Sequence, residues 1–277
     1  MLPHDERFVR ALNAHYGHSE YGDRIRHALV AAGADIDHLT AADLAPFDHL
    51  HGGQRPATLH LAALAGITGA LQVADLGGGI GGPARTLAAE FGCSVDVVDL
   101  TAEFCRVGTW LTGLTGLEGR VRFHHASALR TPLRAGAYDV VWMQNSAMNI
   151  EDRRALYAEV ARLLRPGGRY ALQEVMAGPV SPVYYPTNWA STAETSFLRS
   201  PDEVRSLSAA AGLPELTWID TTEEATVDAR ERANPTTGSP ARPTYTPDAL
   251  ADQIAQNGVR NREEGRVLNV LRVFEKV

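Results

Sequence analysis

From Leu71 onward, short apolar runs alternate with longer stretches whose apolar positions recur every three or four residues. The runs predict strands at Leu71–Leu76, Ser94–Leu100, Val121–His125, Tyr138–Gln144, Gly168–Val175 and around Leu216–Asp220, with a final, near-continuously apolar strand at Val267–Phe274. Helical periodicity fills Gly82–Phe91, Thr101–Leu114 and Arg153–Leu164 between them. Strands separated by helices of about 10–15 residues build βαβ units, so the pattern predicts an α/β fold: a doubly wound, seven-stranded, mostly parallel sheet. Arg165-Pro166-Gly167-Gly168 reads as the turn that ends one helix and begins the next strand. Ser200-Pro201-Asp202-Glu203 opens a further helix, with Ser200 as N-cap and Glu203 reaching back, and Gly212 ends it.

The first seventy residues lack period-2 alternation and read as helical. Phe8, Leu12 and Tyr16 share one face before Gly17 and Gly22 interrupt it; Ile25, Leu29 and Ala32 start a second helix that stops near Gly33; Pro56–Ala65 reads as a third. The expected organisation is a helical cap segment at 1–70 followed by the main domain at 71–277. Two stretches break the alternation. An aromatic and proline-rich insert at about 178–197 is a candidate wall of a substrate pocket, and Asn234–Pro247, with four prolines, is an irregular connection.

Composition narrows the chemistry. The chain has 277 residues and a formal net charge of −7, with no basic run, which opposes polyphosphate backbones and anionic membranes as partners. No apolar stretch approaches the roughly 18 residues of a membrane span, and Met1–Arg10 is charged, so the expectation is a cytoplasmic protein. Two cysteines, Cys93 and Cys105, make neither a disulfide framework nor a cysteine-rich zinc site. Lys276 is the only lysine, which removes Schiff-base chemistry, a P-loop lysine and a Tyr-Lys dehydrogenase pair together.

The stretch Val73-Ala74-Asp75-Leu76-Gly77-Gly78-Gly79-Ile80-Gly81-Gly82 joins the first strand to a helix. Glycines there permit a sharp turn and let a nucleotide approach the backbone, while the helix start offers unpaired N–H groups. Eighteen residues beyond Gly81 the second strand ends in Val97-Val98-Asp99, where a carboxylate can accept both ribose hydroxyls of an adenosine. Gly77, Gly79 and Gly82 also satisfy G-x-G-x-x-G, so a dinucleotide remains open at this point.

The downstream motifs separate the cofactors. Asp75-Leu76-Gly77-Gly78-Gly79-Ile80-Gly81-Gly82-Pro83, Val98-Asp99-Leu100-Thr101, Asp139-Val140-Val141-Trp142-Met143-Gln144-Asn145 and Arg162-Leu163-Leu164-Arg165-Pro166-Gly167-Gly168, in that order, resemble the class I S-adenosylmethionine-dependent methyltransferases over roughly residues 45 to 277. Asp48-His49-Leu50-His51-Gly52-Gly53 and Met148-Asn149-Ile150-Glu151-Asp152 point to the bacterial small-molecule branch related to sarcosine/dimethylglycine and ubiquinone-type methyltransferases. The resemblance implies a Rossmann-like fold, S-adenosylmethionine as cofactor and a metabolite or natural-product acceptor, with the methylated N, O or C atom undetermined. It places Gly77, Gly79 and Gly81 against the methionine part, with Asp75 and Gly78 also in the cofactor site, Asp99 on the ribose hydroxyls and Leu100 over the adenine. Ser127 and Ala128 fall where the family has a Gly-Asp-Ala stretch, Ser127 replacing its aspartate, and Gln144 faces cofactor and substrate. A homodimer stays open.

Methyl transfer from a sulfonium chiefly requires alignment, and a hydroxyl or carbon acceptor adds the need for a base. Glu174 on the fifth strand, His51 in the glycine-flanked turn and Asn149 are the catalytic candidates, although asparagine cannot take a proton at neutral pH. Asn145, Tyr16, Tyr21, Tyr184 and Trp189 are the substrate-binding candidates. The Gln144-Asn145-Ser146 stretch lacks the clustered carboxylates of a Mg²⁺ site, and no metal is expected. The competing readings are an NAD-linked oxidoreductase and a methyltransferase-like protein that catalyses another reaction or only binds its ligand.

Overall fold

The computed structural model describes residues 16, 20–233 and 248–277. Its centre is a seven-stranded sheet in the order β3-β2-β1-β4-β5-β7-β6. The strands are β1 (Gln72–Leu76), β2 (Ser94–Asp99), β3 (Val121–His125), β4 (Tyr138–Gln144), β5 (Leu164–Ala177), β6 (Glu215–Asp220) and β7 (Val267–Glu275). β7 runs antiparallel to β5 and β6, and the other pairings are parallel. The switch in strand order beside β1 opens a crevice at the carboxyl ends of the strands, where ligands bind in such sheets.

Period-2 alternation distributes the side chains. Val140 and Trp142 of β4 pack on one face with Leu61 and Ala62 of α3 (Gln54–Leu64) and Leu87 of α4 (Gly82–Phe91). Val141 and Met143 pack on the other face with Leu156 and Val160 of α6 (Arg153–Leu163) and Val204 of α7 (Pro201–Ala210). Ser200 and Glu203 form the capping box that the sequence predicts for α7. The Arg165–Gly168 turn lies inside β5 rather than before it: the ladder to β4 jumps from Tyr138↔Leu164 to Val140↔Arg169, looping those residues out.

Helices α1 (Tyr21–Ala31) and α2 (Ala41–Asp48) pack on α5 (Ala102–Leu114), burying Ile25, Leu29, Leu44 and Phe47 against Phe104 and Val107. Gly22 lies within α1 and does not interrupt it; its missing Cβ leaves room for Val107, 3.3 Å from where that atom would sit. Sequence periodicity missed α2, which is eight residues long and held by a Thr40–Asp43 capping box. It also missed the polar helices α8 (Thr222–Ala233) and α9 (Ala251–Glu263). Phe8, Leu12 and the Asn234–Pro247 connection lie outside the described residues. Among the described residues, no helix is long and apolar enough to cross a membrane.

Candidate functional site

One cleft runs along the carboxyl edge of the sheet, roofed by the His49–Gly53 turn, residue Tyr16 and the insert around Trp189. Its volume is about 180 Å³. A single buried water needs roughly 10–15 Å³ on this scale, so the space suits a ligand of many heavy atoms.

The β1–α4 glycine loop forms its floor. Gly77, Gly79 and Gly81 have φ of 69°, 56° and 80°, in the left-handed region that side chains avoid. A Cβ on Gly77 would also lie 2.5 Å from Ser146 Cβ. Asp99, at the end of β2, accepts from Gly79 N–H at 2.9 Å and from Thr101 N–H at 2.8 Å. Each carboxylate oxygen can accept again, so Asp99 retains capacity for two hydroxyls. Burial raises its pKa, against the opposing pull of those N–H groups. Asp75 beneath the loop is buried, and its Oδ2 has no hydrogen-bond partner among the described residues. Burial, with the nearby Asp99 charge, pushes its carboxyl up to about 8. Leu100 and Ala128 line the same end. Ser127 lines it too, with its Oγ accepting from Leu129 N–H at 3.2 Å.

Gln144 ends β4 at the centre of a hydrogen-bond ring. Trp142 Nε1–H donates to its Oε1 at 2.9 Å, which fixes the amide orientation. Its Nε2 then donates to Gln173 Oε1 at 2.7 Å, and Gln173 Nε2 donates to the Gly52 carbonyl at 3.0 Å. That carbonyl also lies 3.0 Å from His51 Nδ1, which places the ring proton on Nδ1. Thr58 Oγ1 closes the circuit, 3.1 Å from both His51 Nε2 and Gln144 Oε1. His51 therefore lines the cleft with Nδ1 on the Gly52 carbonyl and Nε2 beside Thr58 Oγ1, whose single proton serves either Nε2 or Gln144 Oε1. His49 turns away, its Nδ1 2.7 Å from Asp48 Oδ1 and its Nε2 3.2 Å from Thr86. Burial disfavours the Asp48 charge, yet the Arg85 guanidinium and His49 hold its carboxyl below the ordinary range.

Asn149 is spent on structure. Its Nδ2 donates to the carbonyls of Trp189 and Thr195, both at 2.7 Å. Its Oδ1 accepts from Tyr16, whose hydroxyl also lies 3.2 Å from the Trp189 carbonyl. Tyr16, Asn149 and Trp189 thus meet in the cleft wall and tie the cap to the insert. Asn145 has φ of 51°, and its buried Oδ1 has no partner among the described residues.

Three candidates fall outside the cleft. Glu174 is fully buried on the opposite face of β5 from Gln173, pairs with the buried Arg153 and does not line the cleft. Tyr21 is enclosed in the cap core, 5.9 Å from the Phe104 ring. Tyr184 lies between the guanidinium groups of Arg260 and Arg266, 3.9 and 4.2 Å from its ring centre. The cleft also contains residues that motif reading missed: Phe104 at the nucleotide end, and Arg262 and Asn269 at the far end. No local motif marks Arg262 and Asn269, because α9 and β7 reach the site only through the closing of the sheet.

Strand order, glycine loop and terminal acid together give a doubly wound α/β domain whose carboxyl edge carries a candidate nucleoside cradle. Residues 73–168 match the family described as "Methyltransferase domain". A dimethylglycine N-methyltransferase of Parasynechococcus marenigrum is 31% identical over 157 residues, 54% of each chain. Methyltransferase GfsG of Streptomyces halstedii is 34% identical over 105 residues, 38% of each. The chain thus spans about half the length, or less, of these curated relatives. In structure, the geranyl diphosphate C-methyltransferase of Streptomyces coelicolor superposes over the whole of both chains with a TM-score of 0.73 at 20% identity, a likeness of fold.

Proposed function

We propose that the protein transfers a methyl group from S-adenosylmethionine to a small-molecule acceptor, releasing S-adenosylhomocysteine. The observation that carries this reading is the cradle at the ends of β1 and β2: a left-handed glycine loop beside a carboxylate with spare acceptor capacity. Two buried oxygens with no partner among the described residues, Asp75 Oδ2 and Asn145 Oδ1, add polar atoms for a ligand to meet. The residues fit the cofactor. Asp99 would take the ribose hydroxyls, Leu100 and Phe104 would flank the base, and the loop and Asn145 would hold the amino-acid part. S-adenosylmethionine supplies, when bound, a methyl group already activated by the positive sulfur.

The protein's own task is then alignment and exclusion of water. Tyr16, Asn149 and Trp189 close the cleft above the acceptor, and His51, Thr58 and Gln144 brace its wall. With Glu174 outside the cleft and His51 Nε2 facing Thr58, the arrangement favours an acceptor that presents a free lone pair over one that must first be deprotonated. One relative's name specifies the nitrogen of dimethylglycine, which has such a lone pair in its free-amine form. The negative net charge and the roofed cleft speak against nucleic acid as acceptor.

Calorimetric titration with S-adenosylhomocysteine, with NAD as control, tests the reading. Wild type should bind the first and not the second. Asp99→Ala should weaken binding by about 100-fold or more, since hydrogen bonds to a charged group contribute about 1.5–3 kcal/mol each. Binding of NAD in its place would overturn the assignment.

A further inference from the structure

Arg85 is fully buried and does not line the cleft, yet its hydrogen bonds reach three of the segments that build it. The residue lies in the first turn of α4. Its Nε and Nη2 donate to Asp48 Oδ2 at 3.2 and 2.8 Å, at the last residue of α2. Nη2 donates again, to the Ile80 carbonyl of the glycine loop at 2.8 Å. Nη1 donates to the Gly108 carbonyl at 3.3 Å and to Thr112 Oγ1 at 3.0 Å, both on α5. A guanidinium carries five N–H bonds, and all five are met. One side chain therefore joins the roof turn that follows Asp48, the glycine floor and the helix that brings Phe104 to the nucleotide end.

Two glycines make room for this joint. A Cβ on Gly82 would lie 2.5 Å from the Asp48 carbonyl oxygen, and one on Gly108 would lie 3.0 Å from the Ile80 carbonyl oxygen and 2.3 Å from the Phe123 ring. Neither glycine has a positive φ, so close approach, and not a left-handed turn, is what excludes a side chain there. The other Asp48 oxygen lies 2.7 Å from His49 Nδ1, which draws the start of the roof turn into the same cluster. A buried ion pair is a weak source of net stability, because desolvation of both charges offsets much of their attraction. What the planar, always charged fork does impose is a fixed geometry on the groups around it.

We infer that Arg85 is a positioning residue for methyl transfer: through Asp48 and the Ile80 carbonyl it holds the His49–Gly53 roof against the glycine loop. This rests on the reading of the cleft as joint cofactor and acceptor site. Roof and floor are then ordered together on folding, and ligand binding is spared that cost.

The test is calorimetric titration of wild type, Arg85→Gln, Gly82→Ala and Glu174→Gln with S-adenosylhomocysteine, with thermal melting to confirm that each folds. Glu174→Gln is the control: it also breaks a buried arginine–carboxylate pair, one that does not line the cleft. A purely structural role for Arg85 would leave affinity where the control leaves it, within twofold of wild type. Arg85→Gln should instead weaken binding tenfold or more. Gly82→Ala keeps both partners of the ion pair but displaces the Asp48 carbonyl, and it should weaken binding to a similar extent. It decides the matter if Arg85→Gln does not fold. Either variant, folded and binding as well as the control, would overturn the inference. Failure of wild type to bind S-adenosylhomocysteine would overturn the cofactor reading itself, and this role with it.

Discussion

Raising the pH from 5 to 7.5 should destabilise this protein through the Asp75 carboxyl, and Asp75→Asn should remove that part of the response. Burial beside Asp99 holds this carboxyl at about 8 in the fold, whereas an unfolded aspartate titrates near 3.9. Between those values the folded chain keeps a proton that the unfolded chain has released. The unfolding free energy then falls as pH rises, by about 1.4 kcal/mol per pH unit. From pH 5 to 7.5 the loss is about 3 kcal/mol, allowing for partial ionisation at the upper end. Asp99, also raised, acts in the same sense, while Asp48 and Glu159, held below their ordinary values, are ionised in both states throughout this window. The difference between wild type and Asp75→Asn isolates the one group, since asparagine keeps the shape without the charge. Denaturant midpoints at pH 5, 6, 7 and 7.5, with the slope m monitored, read that difference. Parallel stability profiles for the two proteins would refute the argument and place Asp75 in a solvated or paired environment.

Glu174→Gln leaves the buried Arg153 charge without its counterion and should lower stability by about 3–5 kcal/mol, read by denaturant unfolding. S-adenosylhomocysteine affinity should stay within twofold; a variant of normal stability with lost turnover would return Glu174 to the chemistry. Asn149→Ala removes two hydrogen bonds to the insert, about 2 kcal/mol in all. Amide exchange should then accelerate about 30-fold across residues 187–197 and remain unchanged in β1 and β4; an unaltered insert would show that Asn149 does not anchor it.

Legibility followed the range of the interactions involved. The strands of the sheet were readable because each is a short apolar run whose burial needs no knowledge of its partners, as in Val140–Met143. The glycine loop was readable because its left-handed backbone restricts residue type locally. Helices α8 and α9 were not, because their charged, weakly apolar sequences pack mainly on each other and on β7. Neither Arg262 nor Asn269 could be placed, since α9 and β7 reach the cleft from the far end of the chain.

The adjacent residues Gln173, Glu174 and Val175 show the limit most clearly. All three sit at the carboxyl end of β5, and the sequence marks the charged one as the natural candidate for chemistry. Strand parity decides otherwise. Gln173 shares its face with Ala171 and bonds the Gly52 carbonyl and Gln144, and Val175 on that face lines the cleft. Glu174 shares the other face with Tyr170 and Leu172, beneath α6, where Arg153 meets it. Which face opens on the cleft depends on the register of β5 against β4 and β7, and a slip of one residue would exchange the roles. That register is set across the Arg165–Gly168 irregularity, which displaces the β4 ladder by several residues. Reading the site from sequence therefore required counting through a bulge that looks, in the sequence, like a turn.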